Sequence, residues 1–304
     1  MQTTIMAPRA EARVGLLLVM FSAMMWGTVG VTTKALYGLA ATNPLSIGFF
    51  RLALAVPALF LGCGLLLGRR TFQVTRRDLI VMMLIGAVTA LYQVCYFGAI
   101  ARVGVAVAVL ITLCTAPVIV AVLSAFLTKE RLTGRVLLAL GCALAGTAML
   151  IEIQPGSGIQ GSVLFSGVLL ALGSAFGYAV IAIASRALAG RYHPLQPIAI
   201  GFSFGAVVLL VFALPTGLVM DYPPLGWSLL LYLGLAPTAL AYGLFLAGMR
   251  TTPATVASIA TLLKPLTSTV LAWLLFGERF SRLGLVGVVL LGLAMVVLYG
   301  NRES

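Results

Sequence analysis

A cation at the centre of an apolar run is the feature of this sequence best placed to do chemistry. Lys264 falls midway along residues 253–276, a run long enough to cross a bilayer as a helix. A charge at that depth costs at least about 2.5–3.5 kcal/mol, and its stem is too far from either surface to reach water. Ser258, Thr261 and Ser268 share its helical face at spacings of three or four residues. Pro265 has no N–H to offer the carbonyl of Thr261, so that oxygen is expected to be free at the same depth. Such a site can meet a substrate carboxylate. It can equally lock two helices together through bonds from the ammonium to backbone oxygens.

Arg51 lies about seven residues into the run 44–67, roughly 10 Å from the boundary by helical rise. It is expected to snorkel outward or to cap a neighbouring helix end, with guidance of an anionic group as the alternative. Trp26, Tyr92, Tyr96, Tyr178 and Tyr242 all fall within apolar runs, and Tyr92 and Tyr96 stand one turn apart beside Gln93. Aromatic residues in such runs pack or form interfacial belts. Polar neighbours at mid-run favour a cavity role for Trp26, Tyr92 and Tyr178, where ring walls suit planar ligands.

These residues need elements to position them, and composition says which. Of 304 residues, 62% are apolar and only 9% charged, at a mean hydropathy of +1.15. A soluble domain carries nearer a quarter charged residues, so this is an integral membrane protein. Ten candidate spans run near 14–36, 44–67, 78–101, 104–127, 134–151, 162–187, 194–215, 224–247, 253–276 and 282–299. The first, preceded by Arg9 and Arg13, is too long for a signal peptide and is expected to remain as a helix. The short connections leave no room for a soluble domain. With the amino terminus cytoplasmic, about 13 of the 19 Lys and Arg lie on the cytoplasmic side. Lys34, Arg102, Arg279 and Arg282 lie outside, and both termini are expected inside. The net charge of +12 is therefore a topology signal rather than a nucleic-acid surface.

Several other chemistries are excluded. Cys63, Cys95, Cys114 and Cys142 lie in apolar runs without metal-like spacing and read as packing thiols. Residues 156–161, GSGIQG, match a dinucleotide-binding glycine pattern but precede a membrane span and lack a preceding strand, so they read as a linker. Gly173 with Gly177, and Gly201 with Gly205, fit close helix packing. No metal site, cofactor motif, nucleotide-binding loop or catalytic set is apparent, and an enzyme is not expected. The acids Glu11, Asp78, Glu130, Glu152, Asp221, Glu278 and Glu303 all sit in tails, loops or span ends, and the single histidine, His193, is in a loop. No group at mid-membrane is left to relay protons, which argues against proton coupling.

The chain also repeats itself. Residues 98–131 align without gaps to 246–279, with about 10 of 34 positions identical. The shared positions include Arg102/Arg250, Pro117/Pro265 and Glu130-Arg131/Glu278-Arg279. Ser22, Trp26 and Lys34 of the first span are echoed by Ser174, Tyr178 and Arg186 of the sixth. Five spans repeated once must enter the membrane from opposite faces, because five is odd. Two inverted halves are a transporter architecture, with substrate held between them at mid-depth. The expected organisation is a tail over 1–13, a first five-helix repeat over 14–151, a linker over 152–161, a second repeat over 162–300 and a tail over 301–304. The fold is all-α and polytopic, ten helices around a central cavity.

The doubled pattern ending in Lys129-Glu130-Arg131 and in Gly277-Glu278-Arg279, with Met25-Trp26-Gly27 in the first span, resembles the drug/metabolite transporter superfamily. The chain is most similar to its ten-span bacterial exporters, and closest to the aromatic amino-acid exporter branch, which also handles paraquat-like compounds. The resemblance implies a multi-pass protein of a bacterial inner membrane. It would export small amphipathic metabolites, amino acids foremost, by alternating access. Relatives often carry glutamate where Lys264 stands, so this chain is expected to prefer anionic or zwitterionic solutes. Lys264 would meet the carboxylate, and Trp26, Tyr92, Tyr96, Tyr178 and Tyr242 the apolar part. Gln93, Ser258 and Thr261 would hydrogen-bond, and Pro117 and Pro265 would flex. The expected partners are a small-molecule substrate and membrane lipid, with no cofactor, metal or nucleic acid. A monomer is expected, with a dimer as the alternative. Export of cationic drugs or sugar phosphates is one rival reading, and a membrane scaffold or enzyme the more distant one.

Overall fold

The computed structural model describes residues 9–128, 161–188, 190–252, 260–261, 263–278 and 282–299, with isolated positions between 134 and 149. Most of the fifth expected span, the linker and Ser258 lie outside the described residues. The described chain is helical: α1 (Arg9–Leu39), α2 (Pro44–Leu67), α3 (Arg76–Val103), α4 (Val105–Thr128), α5 (Gly161–Leu188) and α6 (Leu195–Thr216). After these come α7 (Pro224–Gly234), a π-helical turn (Leu235–Leu240) running directly into α8 (Ala241–Gly248), then α9 (Leu263–Phe276) and α10 (Arg282–Tyr299). Among the described residues, six segments are long and apolar enough to cross a membrane, and α9 and part of α4 are shorter apolar helices. The protein is an all-helical membrane protein.

Local chemistry sets where the helices start and stop. Asn43 caps α2 by accepting from the Ser46 amide at 2.9 Å, and Pro44 occupies the first turn, where its missing N–H costs nothing. Thr75 caps α3 by accepting from the Asp78 amide, and Gly104, at φ 81°, ends the helix. Glu278 then serves α4 from the far end of the chain. Its carboxylate accepts from the amides of Val105 (2.9 Å) and Ala106 (2.8 Å) and pairs with Lys34 at 2.6 Å.

The halves are interleaved rather than side by side. α3 lies against α5 and α6, α2 against α6 and α7, and α4 against α5, while α1 packs on α8 and α9. At the crossing of α3 with α6, Gly86 faces Gly201 and Gly205 so closely that a Cβ on Gly86 would overlap the Gly201 carbonyl oxygen. Gly201 and Gly205 thus take up the packing role their spacing suggested. The four cysteines are free, with Cys63 and Cys114 buried.

Gly86→Leu is expected to force α3 from α6 and cost at least about 1–3 kcal/mol, lowering the detergent melting temperature by several degrees. Gly64→Leu, at a glycine with nothing within 4 Å, should leave it unchanged in the same thermal-shift measurement.

Candidate functional site

Five helices bring the ring-bearing residues together. The Nζ of Lys264 lies 4.0 Å from the centroid of Trp26 and 6.0 Å from that of Tyr178. Trp26 meets Tyr242 edge-on and Phe245 at a tilt, each at 5.1 Å. Tyr178 stands 6.0 Å from Tyr92, which stacks on Tyr96 at 6.0 Å and 12°. α1, α3, α5, α8 and α9 therefore each contribute to one aromatic cluster with an ammonium on its face. A cation over an indole gains about 0.5–2 kcal/mol, more as water is excluded. α1 can approach α9 this closely because residue 27 is glycine. A Cβ there would lie 2.8 Å from the Lys264 carbonyl oxygen and 2.7 Å from Thr267 Cβ.

One expectation about α9 needs correction. The described helix runs from Leu263 and carries Lys264 and Pro265 in its first turn, while residues 253–259 and 262 lie outside the described residues. The Thr261 carbonyl is not free, because it accepts from the Lys264 N–H at 3.1 Å in a turn. Pro265 stands where a helix needs no N–H, so it disturbs no bond there. Pro117, by contrast, lies inside the continuous α4. Ser268 is buried, and its hydroxyl has no partner among the described residues.

Arg51 also departs from expectation. It neither snorkels nor caps a helix end; it is 9% exposed and turns into the protein. Its Nε donates to Thr238 Oγ1 at 3.0 Å, its Nη1 donates to Gln93 Oε1 at 3.2 Å, and the Phe97 ring lies 5.9 Å away. The Phe97 ring in turn lies 5.7 Å from that of Tyr96, which joins Arg51 to the aromatic cluster. The reason for its inward turn lies in α7. Pro237 cannot donate to the Leu233 carbonyl four residues back, and the helix widens there into the π turn. The Thr238 hydroxyl donates to that carbonyl at 2.7 Å, leaving its oxygen to accept from Arg51. Pro237 followed by a threonine was the available sequence signal for Thr238. For Arg51, helical spacing gave the face but not the partner.

Two of the described acids are engaged elsewhere. Asp78 is buried and holds Arg191 at 2.7 Å, with Tyr192 and Thr75 donating to the same carboxylate. Glu278 is paired with Lys34. Among the described residues no carboxylate pairs with Lys264 or Arg51.

A ring-walled centre with basic groups and no acid among the described residues, in an interleaved helical bundle, sits well with what known sequences indicate. The pattern of the EamA-like transporter family matches this chain twice, over residues 13–152 and 165–300. The chain belongs to the EamA-like transporter family. It is 31% identical over 282 residues to the uncharacterized transporter YwfM of Bacillus subtilis (strain 168), covering 93% of this chain and 92% of that one. Over 298 residues it is 28% identical to the uncharacterized inner membrane transporter YicL of Salmonella typhimurium, covering 95% of each. A solved crystal structure shares the fold at a TM-score of 0.59 and 21% identity, over 95% of this chain and 99% of its own. This family member is thus a membrane transporter of the drug/metabolite transporter superfamily.

Thr238→Val keeps the shape of the side chain but leaves Arg51 Nε and the Leu233 carbonyl short of a partner. It is expected to cost about 1–3 kcal/mol in thermal or denaturant unfolding. Thr238→Ser, which restores the hydroxyl, should recover most of that loss.

Proposed function

We propose that this transporter exports small amphipathic metabolites that carry a carboxylate, amino acids with aromatic or large neutral side chains foremost. One observation carries the reading: the Lys264 ammonium lies over Trp26 beside Tyr178 and pairs with no described acid. A substrate carboxylate supplies the missing charge, while Trp26, Tyr92, Tyr96, Tyr178 and Tyr242 meet the apolar part. Gln93 and Thr261, together with Ser258 outside the described residues, supply hydrogen bonds.

The route is alternating access by two inverted five-helix halves, ten spans in all, with both termini on the cytoplasmic side of a bacterial inner membrane. Three features support it. The family pattern matches once in each half. With both termini inside, ten spans would gather most of the Lys and Arg residues on the cytoplasmic side. The helix contacts also exchange under the repeat: α1 with α8 corresponds to α5 with α3, and α1 with α9 to α5 with α4. Rocking of the halves, with Pro117 and Pro265 as flex points, would open the cluster to one face at a time. With no described acid or histidine beside the cluster, transport runs down the solute gradient rather than on protons.

Liposome counterflow tests this. Exchange of labelled phenylalanine or tyrosine should proceed equally with and without a pH gradient. Lys264→Ala should slow carboxylate-bearing solutes by about tenfold or more and leave organic cations less affected. Equal loss for both classes would assign Lys264 a structural role, and accumulation driven by a pH gradient would exclude the uncoupled mechanism.

A further inference from the structure

Lys264 is not the only cation facing this cluster without an acid, and the second is better equipped to recognise a planar anion. The Arg51 guanidinium has two donors occupied, by Thr238 and Gln93. A guanidinium carries more N–H donors than these two bonds use. Gln93 is 1% exposed, and its Nε2 has no partner among the described residues. A buried amide N–H left without an acceptor costs about 1–3 kcal/mol, so a site that keeps one unpaired is built for a group that arrives later. The guanidinium edge and the amide are both donors, and they come from adjacent helices, α2 and α3. A carboxylate, with two oxygens in one plane, is the small group that accepts from both.

The balance of charge points the same way. Lys264, over Trp26 and Tyr178, and Arg51, linked through Phe97 and Tyr96 to Tyr92, bring two positive charges to the cluster, and no described acid pairs with either. A monocarboxylate answers only one of them.

We propose that Arg51 and Gln93 form a second carboxylate subsite, so that the preferred substrates are ring-bearing or apolar metabolites with two acidic groups, one on Lys264 and one on Arg51–Gln93. The proposal rests on the reading of Lys264 as a carboxylate partner and extends it. Tyr92 and Tyr178 then face the body of the solute between its two charged ends. The subsite also separates this chain from a carrier of cations, since a cation at this place would meet two like charges.

Titration calorimetry on the detergent-purified full chain at pH 7.5 tests the idea. The probes are 3-phenylpropionate, with one carboxylate, and phenylsuccinate and 3-phenylglutarate, with two at increasing separation. At least one dicarboxylate should bind about tenfold or more tightly than the monocarboxylate. Gln93→Glu pairs the guanidinium internally, and in that variant the affinity ratio should fall to about one. Equal binding of all three probes to the wild-type chain would overturn the second subsite and leave the Lys264 reading standing. A ratio that survives Gln93→Glu would place the second carboxylate away from Arg51. If none of the carboxylates binds, both the subsite and the reading beneath it fail. The wild-type comparison needs no variant to fold.

Discussion

Positive charge held among rings at mid-bundle, with no described acid paired to it, is the constraint on which the rest of this molecule depends. An ammonium or guanidinium cannot be left bare in hydrocarbon, where even the lowest estimates put its cost at a few kcal/mol. Lys264 is met by the faces of Trp26 and Tyr178, and Arg51 by a hydroxyl, an amide oxygen and the Phe97 ring. None of these carries a full negative charge. The arrangement shelters the cations without neutralising them, and on the proposed function an anion entering the cluster would gain more than a neutral solute.

Holding that arrangement takes backbone geometry that an ordinary apolar bundle would not need. Gly27 lets α1 close on the turn that carries Lys264, and Gly86 with Gly201 lets α3 settle against α6. The π turn at Pro237 rotates Thr238 towards Arg51 while keeping the Leu233 carbonyl bonded. Each device makes a place for a polar side chain that helical packing alone would have pushed to a surface. The same logic accounts for the interleaving of the halves: α1 meets α8 and α9, and α3 meets α5 and α6, so each half supplies walls to the other's rings.

Much of this was legible in the sequence, for physical reasons. Apolar run length fixes spans because a bilayer has a set thickness, and the ends of α2 and α6 fall within a residue of their runs. Lys264 stood out because a charge in such a run is rare. Mid-run placement beside polar neighbours singled out Trp26, Tyr92 and Tyr178, and the structure brings all three to one cluster. What stayed hidden depended on partners distant in sequence. Arg51 looked close enough to a boundary to snorkel, and only the widening of α7 187 residues later gives it somewhere better to go. Thr261 misled for a local reason: a missing proline N–H frees a carbonyl only if no neighbouring N–H reaches it, and that of Lys264 does. The cap that Glu278 places on α4 was likewise beyond reach, since no periodicity links a loop acid to a helix end so far away.

The two engaged acids reveal a division of labour. Asp78, from the first half, holds Arg191 and Tyr192 of the connection between α5 and α6 in the second. Glu278, from the second half, holds Lys34 and the first amides of α4 in the first. Both ties join one half to the other, and both lie at helix ends, where charge is cheaper to keep than at mid-depth. Had either acid been placed beside Lys264 or Arg51, the bundle would have been more comfortable at rest and indifferent to an arriving carboxylate. With these two acids at the ends, positive charge in the middle has no acidic partner among the described residues, and on the proposed function a bound anion would become part of the bundle's own electrostatic balance. On the proposed function, a solute that neutralises the centre would also lower the cost of holding that centre away from water, which is the condition under which two halves could rock past one another around it.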